Sequence, residues 1–266
     1  MVLRSVIVTD LTRMRGSRVC VAGYAVTRLC PDYCIRPELR RGEIHESWLF
    51  SRNEVVRPFS LLQLSIAHAE PDPPHCEDRI VERDFTMLDP VLSDMDRWAL
   101  LTAIDDGSVA GIYREQLVAS RHPYVVAGTG DRSLGTIFPS EVTSVAYFLQ
   151  PERSTWRYRL RFVDGRGAAY DLPVTDLTFR SYLDHLRLHD GLEPTRLAES
   201  VASTLAACAS IALRIGLARP FANDHERRCY LQVNGIYSDP DYLEGRCFAD
   251  FIQRTDPLAD LPEAPF

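Results

Sequence analysis

Four consecutive residues, His75-Cys76-Glu77-Asp78, place a base, a nucleophile and two carboxylates in one short segment. These are the materials of covalent or general acid–base catalysis. Catalysis also needs the groups to converge in space, and no glycine elbow or helix-start signature flanks them to enforce that. The polarity of a loop following Pro71-Asp72-Pro73-Pro74 accounts for the same residues. Cys30 and Cys34 raise a second chemistry, since Cys-x3-Cys is a permissible zinc spacing and Cys20 and His75-Cys76 supply further donors. Against this, His75 and Cys76 are adjacent, and adjacent side chains on a strand diverge. Gly128-Thr129-Gly130 precedes no helical pattern, so it reads as a turn and not as a dinucleotide loop.

A third chemistry is carried by arginine. All 30 basic residues are Arg, which excludes the Walker phosphate loop, Schiff-base formation and pyridoxal-phosphate attachment, each of which needs a lysine. The guanidinium group grips phosphate bidentately and stacks on bases. Arg13, Arg15 and Arg18 surround Gly16 in an expected hairpin loop, and Arg36, Arg40 and Arg41 flank a second turn. Arg13, Arg15, Arg18, Arg36 and Arg40 are the phosphate candidates, with Tyr24 and Trp48 as stacking candidates. Solvated loops have the same composition.

Charge is unevenly divided. The chain has a formal net charge of −7, yet residues 1–60 hold ten Arg against six acidic residues, leaving the remainder at −11. An anion-binding face therefore falls to the first segment if it exists, and coating of nucleic acid by the whole surface is disfavoured.

The elements that must position these groups are mostly strands. Residues 5–10, 18–24 and 61–69 are β-branched or aliphatic runs separated by turn residues. Residues 1–88 read as a small β domain, 89–121 as a helical connector, 122–253 as a second β domain with two helices, and 254–266 as a flexible acidic tail. In the connector, the spacing of Met95, Trp98, Ala99 and Thr102 predicts a helix over 93–104 with Ser93 as N-cap and Asp96 completing the start. Trp156, Tyr158, Leu160 and Phe162 alternate with Arg157, Arg159 and Arg161, followed by Asp164-Gly165-Arg166-Gly167 and a partner run over 168–172: a hairpin. Strand geometry puts those aromatics and arginines on opposite faces, so the aromatics belong to a core and the arginines to solvent, from which they could still contact phosphates.

Thr175 or Asp176 caps a helix carrying Phe179, Leu183 and Leu186 and ending near Asp190-Gly191, and a second helix begins at Pro194. β character returns over 211–217 and 229–237, where Gln232, Asn234 and Tyr237 form a polar face that reads bases or faces water. Two short motifs recur: Val8-Thr9-Asp10-Leu11-Thr12 as Val174-Thr175-Asp176-Leu177-Thr178, and Arg57-Pro58-Phe59 as Arg219-Pro220-Phe221. The offsets suit a diverged duplication as well as they suit chance.

With Val8-Thr9-Asp10-Leu11-Thr12-Arg13-Met14, Cys34-Ile35-Arg36-Pro37, Pro74-His75-Cys76-Glu77-Asp78, Tyr170-Asp171-Leu172-Pro173-Val174-Thr175-Asp176, Arg214-Ile215-Gly216-Leu217-Ala218-Arg219-Pro220-Phe221 and Gln232-Val233-Asn234-Gly235-Ile236-Tyr237, the chain resembles a bacterial family of dual OB domain-containing proteins of nucleic-acid modification. The resemblance implies a mainly β, α+β fold with two OB-like β-barrels and an association with bacterial DNA modification or defence. It brings no catalytic residue with it.

The expected function is a nucleic-acid-binding module for single-stranded or distorted DNA or RNA, partnered by an enzyme of a modification or defence system. One alternative is a nucleic-acid-modifying enzyme using residues 75–78; another is a protein-interaction scaffold. No cofactor is expected. No apolar run approaches the roughly 20 residues of a membrane helix, and the start Met1-Val2-Leu3-Arg4 lacks a signal-peptide pattern, so the expected location is cytoplasmic, with seven free thiols.

Overall fold

The computed structural model describes residues 1–51, 54–68, 70 and 72–251. The tail expected over 254–266 lies outside the described residues.

The first unit consists of β1 (Val2–Arg13), β2 (Val19–Thr27), β3 (Cys30–Leu39), the short ribbon β4 (Phe50–Ser51) and β5 (Glu54–Val55), β6 (Leu61–His68) and β7 (Asp78–Asp89). A closed barrel runs β1-β2-β3-β7-β6. Its pairings are antiparallel except β3 with β7, which run parallel from Arg36↔Asp78 to Leu39↔Val81. This is the five-stranded Greek-key order of an OB barrel. β1 is long enough to serve two neighbours: its first half pairs with β6 and its second with β2. A bulge between Val8 and Asp10 changes the side-chain parity. Val6, Val8 and Leu11 therefore all enter the barrel core, while Asp10 turns outward. Opposite the bulge only glycine fits, because a Cβ on Gly23 would lie 2.1 Å from the Ile7 carbonyl oxygen.

The connector holds α1 (Asp94–Ala103) and α2 (Val109–Tyr113). As the sequence predicts, the Ser93 side chain caps α1 by accepting from the Asp96 amide.

The second unit comprises β8 (Tyr124–Val126), β9 (Leu134–Ile137), β10 (Glu141–Gln150), β11 (Thr155–Val163), β12 (Ala169–Pro173), α3 (Leu177–Asp190), α4 (Pro194–Ala206), β13 (Ser210–Leu217), β14 (Arg228–Asp239) and α5 (Phe248–Phe251). Its strands form two sheets, β10-β11-β12 and β8-β14-β13-β9. The chain passes from β9 into β10 through Phe138-Pro139-Ser140, so the two act as one bent strand. Its first half pairs with β13 and its second with β11, as β1 does in the first barrel. A parallel bridge, Val174↔Val233, brings the end of β12 to β14. The order β9/β10-β11-β12-β14-β13 thus repeats that of the first barrel, parallel neighbour included, with α3 and α4 inserted between the third and fourth strands. Two OB-like barrels result.

The topology repeats, but the short motif echoes do not mark it. Val8 to Thr12 lie inside a first strand, whereas Val174 to Thr178 run from the end of a third strand into α3. Arg57-Pro58-Phe59 precedes the fourth strand of its barrel and Arg219-Pro220-Phe221 follows the fourth strand of the other.

The predicted hairpin is β11 with β12. Tyr158, Leu160 and Phe162 are buried in the second core with Leu183, Leu197, Val201 and Leu205 of α3 and α4. On the opposite face Arg159 and Arg161 both donate to Asp171, at 2.7 and 3.0 Å. The Asp176 carboxylate caps α3 by accepting from the Thr178 and Phe179 amides, and Gly191 ends the helix at φ 60°.

β1 is the seam between the barrels. Arg214 of β13 is fully buried and donates to both Asp10 carboxylate oxygens and to Thr136 Oγ1 at 2.8–3.1 Å. The Arg13 amide donates to the Thr175 carbonyl (2.8 Å), and Tyr237 Oη to the Thr9 carbonyl (2.6 Å). No helix among the described residues is long and apolar enough to cross a membrane.

Candidate nucleic-acid interface

OB barrels bind oligonucleotides on the face of their second and third strands and on the loops joining strands one to two and four to five. In the first barrel the four-to-five loop is the segment between β6 and β7, which contains His75, Cys76 and Glu77. That loop is engaged in docking. Glu77 accepts from the Ser133 amide (2.6 Å), Ser133 Oγ (2.8 Å) and the Leu134 amide (3.0 Å) of the second unit. His75 Nε2 lies 3.3 Å from the Leu217 carbonyl. Asp78 pairs with Arg36 at 2.6 Å and with Arg219.

The catalytic alternative for His75, Cys76, Glu77 and Asp78 is corrected accordingly, because three of the four are buried structural partners. Burial and the nearby Arg36 and Arg219 cations push the His75 imidazole down to about 3, so it stays neutral. Burial, reinforced by Glu77 and neighbouring aspartates, raises the Cys76 thiol. An activated nucleophile needs the opposite shift.

This has a consequence for acid stability. Unfolded His75 takes up a proton as pH falls through 6.5, whereas the folded ring does so only near 3. Its contribution is therefore complete above pH 6.5 and is lost between 6.5 and 3, by up to about 1.4 kcal/mol per pH unit. In denaturant titrations across that range, a His75→Gln variant, which keeps an N–H for the Leu217 carbonyl, should show a shallower pH slope than the wild type; parallel slopes would refute this.

The one-to-two loop of the first barrel, residues 14–18, remains free for a ligand and forms one wall of a cleft of about 750 Å³. β3, with Arg36 and Glu38, contributes a second wall. The far side comes from the second unit: Arg180 of α3, Arg219 and Phe221 beyond β13, and Gln232 and Asn234 of β14. Six arginines and two glutamates are among its lining residues. A chain of net charge −7 thus concentrates cations in one concavity.

The cleft brings together Arg13, Arg15, Arg18 and Arg36 of the expected set, and Arg40 is exposed just past β3. Their availability differs. Arg15 and Arg40 have no carboxylate partner among the described residues. Arg18 is paired with the exposed Glu43, and Arg13 lies 3.9 Å from Glu46. The Arg18–Glu43 pair, with its exposed carboxylate, contributes little and exchanges readily for a phosphate, whereas the Arg13 and Glu46 side chains are mostly buried.

Arg36 is different, and its expected role is corrected. It is 6% exposed. Burial alone would lower its basicity, but Cys20, Asp78 and Glu77 hold it above the usual arginine value. Pulling it off Asp78 would strand a buried guanidinium.

Both stacking candidates are also corrected. Trp48 is buried against Phe85, and its indole N–H donates to the Arg83 carbonyl at 2.7 Å. The buried Tyr24 has the Arg214 guanidinium 5.4 Å from its ring centre.

The zinc reading of Cys30 and Cys34 fails on geometry. Both sit on β3, facing Thr27 and Tyr24 of β2 across a bulge, and the three steps between those facing residues span roughly 10 Å, beyond the reach of two thiolates sharing one ion. Among the described residues no group of three His, Cys, Asp or Glu is placed to hold a metal.

The sequence reading missed Arg180, Arg219 and Phe221. The acidic balance of the second half concealed them, and Arg219-Pro220-Phe221 registered as a motif echo and as part of the family resemblance, not as a binding candidate. The signal that could have found them is an aromatic and an arginine in a loop directly after a strand.

A family model described as DuOB, dual OB-containing domain, matches residues 4–236. No curated protein matches the chain.

Proposed function

The chain belongs to the dual OB-containing domain family, and from that premise we propose that it is a non-catalytic module that binds single-stranded or distorted nucleic acid in the inter-barrel cleft. The observation that carries this reading is the clustering of six arginines, four from the first barrel and two from the second, in the cleft between them, in a chain whose net charge is negative. The module would present its strand to a partner enzyme of a bacterial modification or defence system. Arg15, Arg18 and Arg40 carry phosphate contacts, and the buried Arg36–Asp78 pair holds the wall in place.

Fluorescence anisotropy with labelled oligonucleotides tests the reading. At about 50 mM salt, single strands should bind with dissociation constants in or below the range of roughly 1–100 μM typical of backbone recognition. A duplex of equal length should bind about tenfold more weakly, because the cleft is walled on both sides by barrels. Indifference to every oligonucleotide at low salt would instead favour a scaffold that meets other proteins.

A further inference from the structure

The two sides of the cleft differ in chemistry. The first barrel contributes the loop arginines. The second contributes an aromatic ring and an amide: Phe221 is 40% exposed, and Gln232 is half-buried on β14.

Phe221 lines the cleft and so offers an exposed ring face to a ligand there. Phe221 is also held in place, because Arg219, two residues earlier, is tied to Glu38, Asp72 and Asp78 of the first unit. These ties fix the start of the loop at the cleft mouth.

The Gln232 side chain has no hydrogen-bond partner among the described residues, although its neighbour on the same face is firmly held. Asn234 Oδ1 accepts from Thr175 Oγ1 at 3.1 Å, and a Cβ on Gly216 would come within 2.1 Å of Asn234 Nδ2. Gln232 therefore stands beside a rigid neighbour with both its donor and its acceptor unused. Thr12 Oγ1, also on the cleft wall, is buried and unpartnered.

We propose that the cleft divides its ligand between the barrels: the β1–β2 loop holds phosphates, while the second barrel receives one unpaired base, stacked on Phe221 and hydrogen-bonded by the Gln232 amide. This rests on the nucleic-acid reading above and specifies its substrate. An amide offers a donor and an acceptor side by side, which matches the adjacent donor and acceptor that every unpaired base exposes. An unpaired base is therefore the expected ligand. A duplex cannot supply it, since a paired base shows only its edge.

The test uses a short abasic oligonucleotide carrying a single central base, so that phosphate and base contributions separate. With 2-aminopurine at that position, emission should be quenched on binding to the wild type. The quench should be lost in Phe221→Ala and retained in Phe221→Trp, with thermal melts confirming that both variants fold. The base-bearing chain should bind about tenfold more tightly than the fully abasic chain, a gain that Gln232→Leu reduces. The fully abasic chain should bind all variants alike.

A bound oligonucleotide with unquenched 2-aminopurine, or a quench that survives Phe221→Ala, would overturn the base-reading proposal while leaving backbone binding intact. A Gln232→Leu variant that binds the base-bearing chain as tightly as the wild type would remove the role of Gln232. If even the abasic chain fails to bind the wild type, the nucleic-acid reading falls, and this proposal falls with it.

Discussion

Replacing Arg15 and Arg18 together by glutamate should weaken single-strand binding about 100-fold at roughly 0.1 M salt. Each reversal removes a phosphate contact and adds a repulsion, and each is worth roughly tenfold on that account. Folding should be little affected. Arg15 is exposed and has no carboxylate partner among the described residues. Arg18 gives up a hydrogen bond from Nε to the Arg15 carbonyl and its pairing with the exposed Glu43, a surface interaction of about 0–1 kcal/mol. The control is Arg28→Glu with Arg114→Glu, which changes the net charge equally at exposed positions outside the cleft. Equal loss in both double variants would mean that the global field, and not the cleft, governs binding.

The second large effect concerns the seam. Arg214→Met should destabilise the protein by about 3–5 kcal/mol, because it leaves Asp10 buried without its cation. In a chain of this size that corresponds to a fall in Tm of roughly 6–20 °C. The guanidinium is 0% exposed and bonds to both Asp10 oxygens and to Thr136. Burial works against the charge, but Asp10 and the flanking Tyr24 and Cys34 raise Arg214 well above its usual value, so it is cationic at every accessible pH. Asp10→Asn combined with Arg214→Met should recover part of the loss, since the stranded carboxylate is then gone. A single variant that melts like the wild type would show that the barrels dock without this pair.

What the sequence made legible was local. The β11–β12 hairpin follows from strict alternation ending in Asp164-Gly165-Arg166-Gly167, and the caps at Ser93 and Asp176 follow from side chains that satisfy helix-start amides. Their information lies within a few residues. β3 and β7 were not legible, because Cys30-Pro31-Asp32-Tyr33 and Glu82-Arg83-Asp84 look like polar turns until the parallel pairing of Arg36 with Asp78 closes the barrel.

The buried arginines were the other blind spot. Arg36 read as a phosphate candidate and Arg214 as no candidate at all, since nothing near them in sequence announces Asp78 or the Asp10 that lies 204 residues away from Arg214. Tyr24 and Trp48 misled for the mirror reason: an aromatic suited to stacking is equally suited to a core, and both were used there. The loop arginines 13, 15 and 18 did gather at one cleft, but its opposite wall came from residues that are distant in the chain.

The central claim is that the arginine cleft between the barrels holds a polynucleotide by its phosphates, and a salt series of single-strand binding isotherms tests it most directly. For about three phosphates engaged by Arg15, Arg18 and Arg40, log K should fall with log salt at a slope near −2, and the Arg15→Glu/Arg18→Glu variant should show a slope shallower by about one. Binding that is insensitive to salt, or a double variant whose slope and affinity match the wild type, would contradict the claim.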